Sequence, residues 1–330
     1  MNEINQIDET SQTDQKNPLV TQSFPSNHIP PYAPSPATLI ALHVSRITFP
    51  GVPPANRVSF GVATGRQHRS TTSETPIVTP PEPIRVFDSQ GEDYKRAFQV
   101  FLDHTDQKRN AKRVLQGLVD DLPASQVFID AGAGNGEVTR AFAGAFDRTI
   151  AIEPNAYLLS QLRRAVPQAD AIGTSILAAS PEARGDFVLC SHTLYYIPAN
   201  EWLAHLERLV SWMSPTGVTV VVLQNRGTAC MTMVEHFFGH SFDLGDMADA
   251  FRAKHGDRYD VTTTLDPAHV ETSEQAAAYT IAEFMLNLLP ISRPPARQDL
   301  EAYVAKHFAA PDGTYRLSVH QDFLQIRPWR

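Results

Sequence analysis

The stretch VFIDAGAGNGEVTRAF, residues 127–142, constrains the fold of this chain more than any other feature. A short apolar run ends in a loop with glycine at every second position, and a helical pattern follows at once. Glycine lets the backbone turn tightly and approach a ligand, and the amides at the start of the next helix can bind polar atoms of that ligand. The stretch therefore predicts a strand, a nucleotide-binding loop and a helix. By itself it does not distinguish cofactors of hydride, phosphoryl and methyl transfer.

Apolar strands and amphipathic helices alternate downstream of this loop. The segments RTIAIEP, ADAIGTSI, GDFVLCSHTLYYI and GVTVVVLQN have the continuous apolar character of strands that are covered on both faces. Helical patterns such as AYLLSQLRRAV and NEWLAHLERLVSWM lie between them. This alternation predicts an α/β fold with a Rossmann-like, doubly wound, mostly parallel sheet, to which the C-terminal third adds antiparallel strands.

The chain divides into an extension and a folded domain. Residues 1–85 hold 13 of the 25 prolines together with many serines and threonines, a composition typical of a disordered extension. Residues 86–330 are predicted as the folded domain, with cap helices over 86–121, a cofactor-binding core over 122–228, helices of an acceptor pocket over 229–312 and a final strand over 313–328.

Charge and composition narrow the class of function. The 330 residues carry a formal net charge of −8, which disfavours a nucleic-acid partner or an anionic membrane surface. No apolar run indicates a signal peptide or a membrane span, and the two cysteines read as reduced thiols, so we expect a cytoplasmic protein. No metal site is expected, because Gly239 interrupts the pair His236 and His240 and no HExxH pattern occurs.

The residues around the glycine loop help to select the nucleotide. The second strand ends at Glu153, where a carboxylate can accept both hydroxyls of a ribose. Asp130 and Glu137 flank the loop, and carboxylates there suit the ammonium and sulfonium of S-adenosyl-L-methionine better than the pyrophosphate of NAD. We therefore expect S-adenosyl-L-methionine as cofactor and S-adenosyl-L-homocysteine as product, bound by Asp130, Gly132, Ala133, Gly134, Gly136, Glu153, Pro154 and Ser191.

The fourth strand points to the place of the transferred group, because polar and aromatic residues, SHTLYYIP, follow its carboxyl end. His192 can take a proton from the acceptor, can only orient it, or can be a core histidine. Tyr195 and Tyr196 can wall the site, since an aromatic face attracts a sulfonium by about 0.5–2 kcal/mol. In the last strand His320 and Gln321 alternate faces, so one of them can reach the site, and we assign His320 to the acceptor.

These motifs resemble the class I S-adenosylmethionine-dependent methyltransferases over roughly residues 90–328. The D-x-G-x-G-x-G loop, the IEP acid and the fourth and fifth strands are similar to motifs of that superfamily. The resemblance implies a seven-stranded sheet with an antiparallel C-terminal strand. Within the superfamily, the segments FLDHT, GAGNGE, IEP and LYYI resemble, in order, those of the histamine N-methyltransferase group.

The resemblance also implies roles for residues outside the loop. The helix before the glycine strand caps the cofactor in that group, which implies that the acceptor is bordered by Tyr94, Phe98, His104 and Gln107. The acid that usually meets the adenine amine is missing after the third strand, where Thr174 and Ser175 stand instead and can bind that amine by hydroxyl or backbone. Gln107, His192 and Val319 replace the residues that contact histamine, so the resemblance does not extend to that substrate.

The sequence thus predicts an enzyme that transfers a methyl group to nitrogen or oxygen, less readily sulfur, of a small molecule, as a monomer or homodimer. Displacement at a sulfonium depends mainly on aligning donor and acceptor, so little covalent help from side chains is needed. The alternatives are a protein or peptide methyltransferase, a non-catalytic S-adenosylmethionine-binding protein and, more remotely, an NAD-dependent dehydrogenase.

Overall fold

The computed structural model describes residues 81–88, 91–239, 242–289 and 291–329, so most of the expected N-terminal extension lies outside the described residues. The helices are α1 (Glu92–His104), α2 (Gln107–Asp120), α3 (Glu137–Phe142), α4 (Ala156–Ala165), α5 (Trp202–Ser211), α6 (Ala229–Phe238), α7 (Leu244–His255), α8 (Gln275–Leu286) and α9 (Arg297–His307). The strands are β1 (Val127–Ala131), β2 (Arg148–Ile152), β3 (Asp170–Ile172), β4 (Gly185–Ser191), β5 (Met213–Gln224), β6 (Tyr259–Asp266), β7 (His269–Thr272), β8 (Tyr315–Ser318) and β9 (Gln321–Pro328).

Seven strands form one sheet in the order β3-β2-β1-β4-β5-β9-β6. The pairs from β3 to β5 are parallel, and β9 lies antiparallel to both of its neighbours, β5 and β6. This confirms the predicted fold class, a doubly wound and mostly parallel sheet with an antiparallel C-terminal strand. None of the helices in the described part of the chain is long and apolar enough to cross a membrane.

The strand order places a crevice beside β1. The chain runs outward from β1 to β2 and β3, and then crosses back to add β4 on the other side of β1. Connections therefore leave β1 and β4 in opposite directions, and their carboxyl ends border the position at which open α/β sheets bind ligands.

The alternation of side chains along the central strands fills a core on each face of the sheet. Phe128 and Phe187, on the neighbouring strands β1 and β4, point to the face covered by α2, with ring centroids 5.7 Å apart. Ile129 and Val188 point to the opposite face, which the larger core cluster covers. Each fully buried side chain of this size stabilises the fold by about 1.5–3 kcal/mol relative to an exposed one.

The expected final strand over 313–328 is wrong in one respect, because the structure divides it into β8 and β9. β8 pairs with β7 in a separate two-stranded sheet, and the backbone turns at Val319 and His320. Bonds to Ala268 hold this turn: the Val319 amide donates to its carbonyl, and the His320 ring meets its backbone. The apolar alternation of the sequence continues across the turn and so does not reveal it.

Residues 82–87 pack against the C-terminal helices. Ile84 is buried and donates its amide to Pro295, while Arg85 forms an ion pair with the buried carboxylate of Glu283 on α8. The Phe87 amide donates to the side chain of Asn287. The packed part of the chain therefore begins at or before Glu82, slightly ahead of the boundary expected at residue 86.

Candidate active site

The glycine loop after β1 adopts a backbone that favours glycine. Gly132, Gly134 and Gly136 all have a left-handed backbone, with φ of +78°, +58° and +86°. A Cβ atom on Gly132 would collide with the Thr193 side chain, and one on Gly136 would lie 2.7 Å from a Leu162 methyl carbon. A Cβ atom on Gly134 would meet nothing within 4 Å, so the loop presents an open face at this residue.

Glu153 joins the end of β2 to this loop. One carboxylate oxygen accepts the Gly134 amide at 2.9 Å, and the other accepts the Asn155 amide at 2.8 Å. Burial raises the pKa of Glu153, against the lowering effect of these two bonds. Each carboxylate oxygen can accept a second hydrogen bond, so the same group can hold ribose hydroxyls while it supports the loop.

Asp130 stabilises the loop from below. It is 2% exposed, and its carboxylate accepts the Thr139 hydroxyl of α3 at 2.6 Å. Burial raises the pKa of Asp130 to about 6, the Thr139 bond opposes this shift and the charge of Glu153 adds to it. Asp130 therefore anchors the start of α3 to β1, and the sequence did not indicate its partner Thr139.

The other expected cofactor residues lie along the same edge of the sheet. Ala133 is buried and donates its amide to the Ile152 carbonyl at 3.0 Å. Ser191 ends β4, and its carbonyl accepts the Thr193 hydroxyl at 3.2 Å. Three exposed residues follow β2 and β3 in the sequence, namely Pro154, Thr174 and Ser175.

His192 occupies a strained position immediately after β4. Its φ is +55°, a value uncommon for any residue other than glycine, and its amide donates to the Val222 carbonyl of β5 at 2.9 Å. The ring lies between two side chains: Nε2 is 2.5 Å from the amide nitrogen of Gln321, and Nδ1 is 3.5 Å from the Tyr195 hydroxyl. The side chain is thus held by both β9 and the turn that follows it.

The hydrogen bonds around His192 define its protonation. The Tyr195 hydroxyl accepts the Gln224 amide at 2.8 Å, and the buried Oε1 of Gln321 has no partner among the described residues. Exchanging the oxygen and nitrogen of the Gln321 amide gives that oxygen a partner, the Nε2 proton of His192, and leaves Nδ1 to accept from Tyr195. Burial, with a contribution from the charge of Lys108, lowers the pKa of His192 to about 3.

The aromatic residues expected around the acceptor fall into two groups. Tyr94 and Phe98 pack against Phe284 of α8, with ring centroids 5.4 Å and 5.5 Å away. Tyr195 is buried behind His192, whereas Tyr196 is 59% exposed. Burial, with a contribution from Tyr196, raises the pKa of Tyr94 to about 12.

The side chains of three further residues expected at the acceptor form hydrogen bonds with backbone atoms. His104 Nδ1 lies 2.7 Å from the Val100 carbonyl, and the buried Gln107 amide donates to the Val319 carbonyl at 2.9 Å. His320 Nδ1 meets the Ala268 backbone at 2.9 Å. Of the alternating pair in the last strand, Gln321 and not His320 contacts His192.

A narrow apolar cavity lies behind Tyr195, between α6 and α8. Side chains of the C-terminal helices form most of its wall: Cys230, Met231, Val234, Phe242, Met285, Leu288 and Leu289.

Within the described ranges no cluster of potential metal ligands occurs, and His240 lies outside them. A larger cavity of about 370 Å³ opens near Arg184 and Arg258, at the end of the sheet where β5 and β6 begin. The crevice with Glu153 and His192 is at the other end.

The fold and this crevice define a nucleotide-binding α/β domain of the class I methyltransferase type. The sequence profile of a family described as "Methyltransferase domain" matches residues 102–271, slightly more than half of the chain. The chain therefore belongs to this methyltransferase-domain family, whose cofactor is S-adenosyl-L-methionine. The matched segment extends from the end of α1 to β7 and includes the glycine loop, Glu153 and His192.

One individual relative matches the chain at low sequence identity. The probable methyltransferase ltbC of Aspergillus luteorubrus is 27% identical over 170 residues, which cover 47% of this chain and 57% of that protein. This chain thus matches less than two thirds of the length of that relative.

Solved structures resemble the chain at low identity. The YcgJ protein of Bacillus subtilis is 9% identical with a TM-score of 0.48, covering 68% of this chain and 99% of its own. The N-methyltransferase NodS of Bradyrhizobium japonicum, in complex with S-adenosyl-L-homocysteine, is 12% identical with a TM-score of 0.44, covering 73% and 100%. At such scores the likeness carries no conclusion about this chain.

Proposed function

We propose that the protein transfers a methyl group from S-adenosyl-L-methionine to a nitrogen or oxygen atom of a small molecule. The observation that carries the proposal is the junction of Glu153 with the Gly134 amide, beside the crevice where the strand order reverses. A buried carboxylate at the end of β2 suits a ribose, and the open face at Gly134 admits a ligand against the backbone.

The cofactor contributes an activated methyl group, and the residues of this chain contribute positioning and exclusion of water. Glu153 holds the ribose, and Thr174 and Ser175 border the adenine after β3. His192 lies at the carboxyl end of β4, where the acceptor enters. Alignment of the two reacting atoms supplies most of the catalytic effect in such a displacement.

His192 acts in this proposal by orienting the acceptor. Both ring nitrogens face protein groups, and a pKa of about 3 makes the ring a weak base at neutral pH. A nitrogen acceptor attacks as its free base and releases its proton to solvent after the transfer. Such an acceptor needs no basic side chain at the site, which is why we place nitrogen ahead of the oxygen of a hydroxyl group.

The overall charge of the chain bears on the class of acceptor. The net charge of −8 disfavours nucleic acid as substrate. We further propose that the protein works in the cytoplasm as a monomer or homodimer, with no membrane or nucleic-acid partner.

The test uses S-adenosyl-L-methionine that carries a deuterated methyl group. Purified protein is incubated with this cofactor and with a cell extract that has been separated into small molecules and macromolecules. We expect label in a product of the small-molecule fraction, identified by mass spectrometry. Label in proteins only would contradict a small acceptor, and tight binding of S-adenosyl-L-homocysteine without any labelled product would indicate a non-catalytic binding protein.

A further inference from the structure

Lys108 is a cation at the start of α2, the helix that follows the aromatic residues of α1. It is the second residue of α2 and is exposed to solvent, and it forms neither an ion pair nor a hydrogen bond within the part of the chain that the structure describes. Its ammonium lies 6.0 Å from the centroid of the Phe98 ring, which belongs to α1. The side chain therefore extends across the start of α2 toward the aromatic cluster and not freely into solvent.

Contacts of the adjacent residue place the start of α2 beside the crevice: the Gln107 side chain donates to the Val319 carbonyl, and Gln321, two residues farther along, meets His192. The charge of Lys108 acts on His192, after β4, and Lys108 is itself influenced by Glu137, the first residue of α3. These two residues lie on the connections that leave β4 and β1, on either side of the crevice. Protein surrounds the ammonium closely enough that desolvation lowers the pKa of Lys108, against the opposing effect of Glu137.

The orientation of the cofactor follows from the residues that hold its other end. Glu153 fixes the ribose at the end of β2, and Thr174 and Ser175 border the adenine farther out, beyond β3. The sheet order continues from β2 to β1 and β4. The amino-acid end of the cofactor therefore extends away from β3, past the glycine loop and toward Glu137 and His192. This end carries an ammonium and a carboxylate, and the acid Glu137 suits only the ammonium.

We propose that Lys108 is the counter-ion of a carboxylate bound at this end of the crevice. The carboxylate of the cofactor is the source that this orientation favours, and an acidic acceptor would present the same chemistry. The inference rests on the proposed function, because it takes the cofactor site as given. A charge-assisted hydrogen bond between an ammonium and a carboxylate is stronger than a neutral one, and in a partly desolvated cleft it contributes substantially to affinity.

Lys108→Met tests the proposal with two ligands that differ in this group. S-adenosyl-L-homocysteine carries the carboxylate, and 5′-methylthioadenosine lacks the whole amino-acid portion. We expect the variant to bind S-adenosyl-L-homocysteine about 10-fold more weakly and 5′-methylthioadenosine as the wild type does, as measured by calorimetric titration. Lys108→Arg should recover most of the lost affinity. Lys112→Met, one turn along α2, is the matched control with the same change in charge, and it should bind both ligands normally.

The outcomes separate the two sources and the two proposals. In one outcome, Lys108→Met binds S-adenosyl-L-homocysteine as the wild type does but transfers less deuterated methyl to acidic products, which an anion exchanger retains from a metabolite extract. This outcome would assign Lys108 to an acidic acceptor. Equal affinities and equal labelling in Lys108→Met and wild type would overturn the role of Lys108 and leave the proposed function standing. A wild type that does not bind S-adenosyl-L-homocysteine would contradict the proposed function itself. Melting curves of the three variants establish that they are folded.

Discussion

Gln321, the first residue of β9, meets His192 with 2.5 Å between the Gln321 amide nitrogen and His192 Nε2. The contact links the antiparallel C-terminal strand to the turn after β4, across 129 residues of sequence. Gln321 is 1% exposed, and this bond is therefore shielded from water. The orientation of His192 thus depends on β9, a strand outside the parallel part of the sheet.

The first prediction concerns the role of His192. His192→Asn should lower kcat by about 10- to 100-fold through lost alignment, because asparagine tolerates the left-handed backbone but lacks the ring. The shape of the pH profile of kcat between pH 5 and 9 should stay the same, since the pKa of His192 is about 3. Gln321→Leu should act in the same direction. An inflection near pH 6.5 in the wild type that His192→Asn removes would instead make His192 the general base.

The second prediction concerns Asp130 and stability. The pKa of Asp130 is raised to about 6, so the folded state holds this proton more tightly than the unfolded state does. Its contribution to the free energy of unfolding is therefore highest below pH 4, falls as the pH rises to about 6 and is constant above. In urea titrations, Asp130→Asn should gain up to about 3 kcal/mol relative to the wild type between pH 4 and pH 7. A difference independent of pH would contradict the raised pKa.

The third prediction compares two glycines of the same loop. Gly132→Ala places a Cβ atom against Thr193 and forces a left-handed backbone on alanine, so it should cost about 3 kcal/mol or more in free energy of unfolding. Gly134→Ala has the same backbone strain but open space around the Cβ atom, and it should cost only about 1–2 kcal/mol. Equal costs for the two variants would show that Thr193 yields without penalty.

The fourth prediction concerns the start of the domain. A protein that begins at residue 81 should have the same free energy of unfolding as the full chain. A protein that begins at residue 89 loses Arg85 and leaves the carboxylate of Glu283, which is 1% exposed, without its cation, at a cost of about 3 kcal/mol. Equal stability of the two shortened proteins would place the start of the packed domain after residue 88, and failure of the longer one to fold would place it before residue 81.

The sequence was sufficient to predict the sheet because strand and helix patterns alternate and each buried strand is apolar throughout. It also indicated that Glu153 stands at the end of the second strand, because the acid follows that apolar segment directly. It was not sufficient for the division of the last strand at Val319 and His320, since β8 and β9 have the same alternation. That turn determines whether His320 or Gln321 faces the crevice. The alternation of side chains along a strand, read from the sequence, therefore did not predict which of the two it would be.

For other residues of the site, the neighbouring sequence does not predict which residues they contact. Thr139 and Thr193 are ordinary in their segments, and only the closeness of β1, α3 and the turn after β4 gives them partners. Lys108 lies next to Gln107, which the resemblance emphasised, yet Gln107 is buried and donates to Val319, whereas Lys108 is exposed. Tertiary contacts decide which of two adjacent residues faces a ligand, and one sequence does not contain them.

The most direct test of the cofactor site is a calorimetric titration of S-adenosyl-L-homocysteine into the wild type and into Glu153→Gln. We expect the wild type to bind it, to show no binding of NAD under the same conditions, and to lose at least several-fold in affinity in the variant, because a neutral amide replaces the carboxylate that accepts the ribose hydroxyls. The ratio of the two affinities measures that contribution. Equal affinity in both proteins, or binding of NAD without S-adenosyl-L-homocysteine, would contradict the account.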